Sequence, residues 1–541
     1  MVEYRCTLLS FSNKSGAGFD RADKPPGFKI TPTSSPEISY MQKKLDSLKT
    51  RLAEIDDLNH AAAILGWDQQ TYMPPGGAEA RAQQLATLSH ISHEKFIDNA
   101  IGDILNELQE YAEGLPEDSD DASLIRVTKR DYDKARRVPS ALISEIAQAG
   151  AQAFEAWKEA KDGFNFTIFA PFLKRNLELK KRYAECLGYT GRIYDPLLDQ
   201  FEPGMTTAQV ETIFANIRQE LVPLVHAITS KSTVVDNSFL HQEFDEQKQW
   251  DICVKAARLI GYVFERGRLD RSPHPFTTSF SIDDVRITTR FLRDYFSAAF
   301  FATLHEAGHA LYNQGISRKL EHTPLADGAS LGVHESQSRM WENLVGRSRA
   351  FWKFFMPHVK DIFPEEFHNI HAENMYRAVN RVQPSFIRVE ADEVTYNLHI
   401  MIRFELENDL LEDRISIHDL PNAWNIKMQE YLGITPPDDA RGVLQDVHWS
   451  SGSFGYFPTY SLGNIFAAQL FDQVKRDLPD IETSFEKGAF QKLLDWLRQN
   501  LHAHGRKFTL DELARRITGE PLQTRSFITY LKNKFGEIYG L

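Results

Sequence analysis

"ISYMQKKLDSLKTRLAEIDDLNHAAAIL", residues 38 to 65, sets the fold class. Met41, Leu45, Leu48, Leu52 and Ile55 recur every three or four positions with Lys, Asp and Glu between them. That is the period of a helix with one buried face. The same texture returns over 123–162, 168–188, 207–230, 246–266, 292–314, 329–347, 386–413, 421–432, 461–477 and 486–502, with Pro, Gly and Asp clusters between the runs. The spacing predicts a mainly α-helical protein. One stretch departs from it: "HPFTTSFSIDDVRITTRF", 274–291, is rich in Thr, Phe, Val and Ile around an Asp-Asp pair, and predicts a β-hairpin. An edge strand of such a hairpin could pair with an extended peptide through main-chain hydrogen bonds.

Upstream of the first helical run lies "KPPGFKITPTSSP", and residues 1–36 are expected to be a flexible extension. No repeat or long Gly/Ser linker follows, and the acidic "EGLPEDSDDAS" at 113–123 has the length of a surface loop. Residues 37–541 are therefore expected to form one structural unit, with two lobes around a cleft. A hydrophobic fraction of 42% with 36 Phe and 8 Trp supplies a large core. The formal charge of −13 speaks against nucleic-acid and anionic-membrane partners, leaving small molecules or peptides. Three cysteines, Cys6, Cys186 and Cys253, cannot build a disulfide framework in a chain of this length, which points to a reducing compartment. No apolar run reaches the ~18 to 20 residues of a membrane span, the nearest being "AAAILGW" at 61–67. The expectation is a cytoplasmic protein, with organelle targeting by the N-terminal extension left open.

The chemistry is carried by "FATLHEAGHALYNQG", 301–315. On a helix, His305 and His309 project from one face one turn apart and can grip a single metal ion. Glu306 then points beside that ion, where a carboxylate can take a proton from the attacking water, the role the HExxH pattern gives it in zinc peptidases. A catalytic ion needs a third protein ligand. A third His six residues after the second would make a metzincin, but that position is Gly315. "SLGVHESQSRMWENLVGR" offers instead Glu335 and Glu342, and spacing leaves both open.

Beyond HEAGH, "HPF" at 274–276, "DVRIT" at 284–288, "HESQ" at 334–337, "IRVEAD" at 387–392, "GVLQDVHW" at 442–449 and "GYFPTYSLGN" at 455–464 stand in one order along the chain. With "LGWDQQTYMPPGGAEARAQQLATLS" at 65–89, this ordered set resembles the carboxypeptidase Taq family of metallocarboxypeptidases, from about residue 40 to the end. The resemblance implies the helical cleft fold shared with neurolysin and angiotensin-converting enzyme, with a small β-hairpin or sheet beside the site. It implies His305, His309 and Glu335 as metal ligands, which decides for Glu335 over Glu342, and Glu306 as general base. It also implies Arg388 or Arg286 on the substrate's charge, His274 at the substrate, and His448 and Tyr460 near the reacting carbonyl. The expected cofactor is Zn2+, with Co2+ or Mn2+ in its place, and a homodimer is implied.

The reading is a metal-dependent carboxypeptidase that takes peptides with a free C-terminus and releases single residues with broad preference. A bidentate guanidinium suits a free carboxylate, and Arg388 is the first choice, its competing role being a salt bridge with Glu390 or Asp392. An oligopeptidase or dipeptidyl carboxypeptidase of the same fold, or a silent peptide-binding homologue, are the alternatives.

Overall fold

The structure, a computed structural model, describes residues 36–541. The extension expected over 1–36 lies outside the described residues but for Pro36, as does Cys6. The opening helix runs Pro36–Thr71. Its apolar face buries Leu45, Leu48, Leu52 and Ile55 against Ile101, Ile104 and Leu105, Leu124 and Ile125, and Leu320 and Leu325. This is the smaller of two main cores. The larger, from Ala153 to Tyr539, surrounds the helix that carries HEAGH, Phe296–Gly315, where Phe296, Phe300 and Phe301 pack with Phe351, Trp352 and Phe355. The protein is thus mainly helical and two-lobed, with a cleft bounded by residues of both cores. Among the described residues, no helix is long and apolar enough to cross a membrane.

Local chemistry explains where helices stop. The run expected as one helix over 123–162 is two, Asp120–Arg137 and Ser140–Asp162. Pro139 forces Val138 into extended backbone (φ −97, ψ 119) and breaks it. Of the expected 386–413 helix, only Tyr396–Leu411 is α-helical. Before it, Arg388–Glu390 forms a single 3-10 turn, and Asp392 accepts the N–H groups of Gln383, Val394 and Thr395. A short acceptor side chain that serves three backbone donors competes with the helix ladder.

The expected hairpin is present and is part of a three-stranded sheet. β1 (Leu269–Arg271), β2 (Thr277–Ser281) and β3 (Asp284–Thr289) lie in the order β1-β3-β2. β2 is antiparallel to β3, with Thr277 opposite Ile287 and Ser279 opposite Val285, and β1 is parallel to β3. β1 was not expected, because three residues carry no detectable alternation. β2 is left as an edge strand, and Pro275 to Ser279 line the cleft.

Glu335 rides on a nine-residue helix, Leu331–Arg339, capped by the Ser330 side chain, which accepts the Val333 N–H. Two glycines let this helix sit tightly between neighbours. A Cβ on Gly308, inside HEAGH, would stand 2.6 Å from the Gln337 carbonyl oxygen. On the other side, a Cβ on Gly463, in the Pro458–Asp477 helix, would stand 2.6 Å from Glu335 Cβ. Only a residue without a side chain fits either place.

Candidate active site

A cavity of about 970 Å3 opens between the cores, and His305, Glu306, His309, Glu335, Tyr456 and Tyr460 line it. One helical turn puts the His305 and His309 rings 5.0 Å apart, and each Nε2 lies 3.6 Å from Glu335 Oε2. Two ligands held ~2.0 to 2.2 Å from one tetrahedral ion are separated by about 3.3 to 3.6 Å, so this donor set fits a divalent metal. Of the two glutamates left open by spacing, Glu335 joins the histidines, while Glu342 stands behind them. Glu342 Oε2 lies 2.9 Å from His305 Nδ1, and Arg339 and Arg347 both donate to this carboxylate. His309 Nδ1 faces His334 Nδ1 at 3.2 Å. Each imidazole thus has its outer nitrogen engaged, which turns Nε2 toward Glu335.

Glu306 is buried, and Thr277 Oγ1, on β2, stands 2.7 Å from its Oε2 and 2.9 Å from its backbone carbonyl oxygen. The single hydroxyl proton serves one of them at a time. Burial pushes the Glu306 carboxyl above the usual carboxylate range, with His305 and Thr277 pulling the other way. A buried carboxylate of raised basicity, aimed beside a metal-ligand set, is chemically equipped to accept a proton from water near neutral pH.

Tyr456, Thr459 and Tyr460 contribute to the cavity wall. Tyr460 Oη lies 3.2 Å from His448 Nε2, and burial lowers His448 to about 4, so its ring is neutral. Behind the ring of Tyr460, its centroid 4.9 Å from the guanidinium, is Arg388, which is only 5% exposed and is not part of the cavity lining. Arg388 donates through Nε and Nη2 to Asp446 Oδ1 at 3.0 and 2.8 Å, and through Nη1 to the Tyr396 hydroxyl at 3.0 Å. Its carboxylate partner is thus Asp446 rather than Glu390 or Asp392. The fully buried Arg403 donates to the other oxygen of the same carboxylate at 2.5 Å. Two guanidiniums share one aspartate beside the cavity wall.

The other sequence-derived positions lie elsewhere. Arg286 forms a paired contact with Asp284 at 2.9 and 2.8 Å and packs between the rings of Trp67 and Phe280, away from the cavity lining. The side chain of His274 is exposed, its carbonyl oxygen accepting the Ser272 hydroxyl, while Pro275 and Phe276 beside it reach the cavity. Sequence reading did not single out Thr277, Arg339, Asp446 or Tyr456. All four lay inside quoted stretches but were given no role, because their partners are fixed only by the fold.

The sequence profile of the carboxypeptidase Taq (M32) metallopeptidases matches residues 47–535. The chain belongs to this family. The M32 chain is 43% identical over 491 residues to thermostable carboxypeptidase 1 of Thermus thermophilus, covering 88% of this chain and 95% of that protein. It is 39% identical over 505 residues to carboxypeptidase 1 of Bacillus subtilis, covering 93% and 100%. The crystal structure of the M32 carboxypeptidase of Deinococcus radiodurans superimposes with a TM-score of 0.89 at 39% identity, over 92% of this chain and 100% of that one. With a family match across nearly the whole chain, this M32 protein is a metallocarboxypeptidase, a peptide hydrolase that works with a divalent metal.

Proposed function

We propose that the enzyme removes single residues from the C-terminus of peptides with broad preference, with His305, His309 and Glu335 as metal ligands and Glu306 as general base. The observation that carries this is the position of Glu335 Oε2, 3.6 Å from both histidine Nε2 atoms, with the buried Glu306 next in sequence to His305. An ion held there, Zn2+ first and Co2+ or Mn2+ in its place, would polarise the scissile carbonyl and acidify water. Glu306 takes the proton of the attacking water and passes it to the leaving amine. Thr277 aims Glu306, and because Thr277 lies on edge strand β2, the base and the peptide-pairing edge keep a fixed relation. Tyr460, backed by neutral His448, is the donor proposed for the developing oxyanion.

Arg388 is the proposed anchor for the free carboxylate. Arg388 shares Asp446 with Arg403, and only three of its five guanidinium hydrogens are engaged by protein partners. Access to it requires Tyr460 to yield. Arg286 and His274 are assigned to shaping the hairpin and the cavity rim. Residues 37–541 act as one catalytic unit in this reading, a cytoplasmic homodimer whose partners are peptides.

Mass spectrometry of products from an N-terminally blocked peptide, run beside Glu306→Gln, tests the proposal. Stepwise loss of single residues, abolished by the substitution and by C-terminal amidation, is expected. Dipeptide products would move the enzyme to the dipeptidyl carboxypeptidases, and equal rates for variant and parent would remove HEAGH from the chemistry.

A further inference from the structure

We propose that Arg339 is the positioning residue of the metal centre: it holds Glu335 with one oxygen turned to the ion and, with the other arm of the same guanidinium, holds Glu342 against His305. This rests on the ligand set proposed above. Arg339 is the last residue of the Leu331–Arg339 helix, and the chain passes there into the π-helical turn Met340–Val345 that carries Glu342. Seven residues of helix separate the two glutamates by roughly 10 Å of rise, and Arg339 lies between them. Its Nε donates to Glu335 Oε1 at 2.7 Å and its Nη1 to Glu342 Oε2 at 2.9 Å.

The consequences at the two carboxylates differ. Glu335 Oε1 is committed to a charge-assisted bond, while Oε2, which also accepts the Ser338 hydroxyl at 2.9 Å, is the oxygen facing both histidines. Each carboxylate oxygen has two lone pairs, so a hydrogen bond does not by itself bar ligation. The Arg339 bond instead fixes the rotation of the Glu335 carboxylate, and turning it to bring both oxygens to the ion would strain that bond to a largely buried guanidinium. One-oxygen ligation therefore keeps a coordination position open for water and substrate, which a catalytic site requires. At Glu342, the oxygen that takes Nη1 is the one that faces His305 Nδ1 at 2.9 Å. An acceptor there keeps the proton on Nδ1 and leaves the lone pair of Nε2 for the ion. The guanidinium is also held by Tyr396, its carbon 4.5 Å from the ring centroid, and the side chain is only 15% exposed. A lysine has one donor point and cannot span both carboxylates.

The test uses the full chain loaded with one equivalent of Co2+, whose visible absorption is strong at low coordination number and weak at high. Arg339→Gln is expected to lose most of that intensity as Glu335 turns to two-oxygen ligation. Glu342→Gln, which keeps the Arg339–Glu335 bond, is expected to keep the intensity and bind Co2+ roughly 10-fold more weakly. A Co2+ spectrum of Arg339→Gln that superimposes on the parent's overturns the proposal. If that variant does not fold, Arg339→Met, which keeps an apolar stem against Tyr396 and offers no donor to either carboxylate, is read the same way, and a parental spectrum from it overturns the proposal equally. Glu335→Gln separates the two levels: an unchanged spectrum there removes the ligand set itself, whereas a changed one with Arg339→Gln unchanged removes only the role of Arg339.

Discussion

Replacing Gly308 by alanine tests whether backbone contact between two helices sets the metal site. The added Cβ would meet the Gln337 carbonyl oxygen at 2.6 Å and Ser338 Cα at 2.7 Å. Comfortable contact needs roughly 3.5 Å or more, so the HEAGH helix and the Glu335 helix must part by about 1 Å. Both obstructing atoms are backbone and cannot rotate away. Overpacking of this kind costs about 1 to 3 kcal/mol, offset by about 1 kcal/mol from the better helix propensity of alanine. The net, about 0 to 2 kcal/mol, leaves a large domain folded. The site suffers more: donor distances must hold within ~0.2 Å, and a 1 Å misplacement costs on the order of 100-fold in rate. The assay is a Zn2+ or Co2+ titration by calorimetry beside far-UV circular dichroism and thermal melting. Gly536→Ala is the control, because a Cβ there meets nothing within 4 Å, and it should stabilise by up to about 1 kcal/mol. A Gly308→Ala protein that binds metal as tightly as its parent and melts higher would refute the reasoning.

Thr277→Val removes the hydroxyl that holds Glu306 and should lower kcat roughly 10-fold, equivalent to about 1.4 kcal/mol, with metal content unchanged by atomic absorption. Asp446→Asn leaves Arg388 and Arg403 without a carboxylate in a buried site; the expected loss is about 3 to 5 kcal/mol, read from the urea midpoint. Glu407 is fully buried among Tyr194, Trp449, Arg403 and the Gly455 N–H, and burial pushes its carboxyl up to about 7. A folded pKa above the unfolded one means that the folded state holds the proton longer. Its contribution is complete below about 4.5 and is lost, by about 3 kcal/mol, as pH rises to about 7. Thermal melts from pH 4.5 to 7.5 should show the parent falling relative to Glu407→Gln across that window; parallel curves would contradict it.

Helical character and the i, i+4 placement of His305 and His309 were legible because both depend on neighbours within a turn or two. The hairpin was legible for the same reason. Some local signals went unread. The helix Leu510–Thr518 opens with a capping box in which Thr509 and Glu512 serve each other's backbone, and its first residues announce it. Pro357 masked the helix Arg349–Ile362, whose apolar face is otherwise plain. Between 386 and 395 periodicity misled, because Asp392 supplied the backbone with a better acceptor than the helix did.

By itself, then, the sequence determined that the protein is mainly helical, that one helix presents two imidazoles and a carboxylate, and that its motifs follow the order of a known family. It did not choose between Glu335 and Glu342 by spacing, find the partner of Arg388, or tie Thr277 to Glu306. Where these side chains sit relative to one another was decided by tertiary structure. Asp446 reaches Arg388 across 58 positions, Thr277 reaches Glu306 across 29, and Glu335 reaches the histidines only because Gly308 and Gly463 admit its helix at backbone contact. Periodicity records which face of an element is buried; which side chains meet across that buried face depends on how closely and at what angle the elements pack, and only the assembled core fixes that.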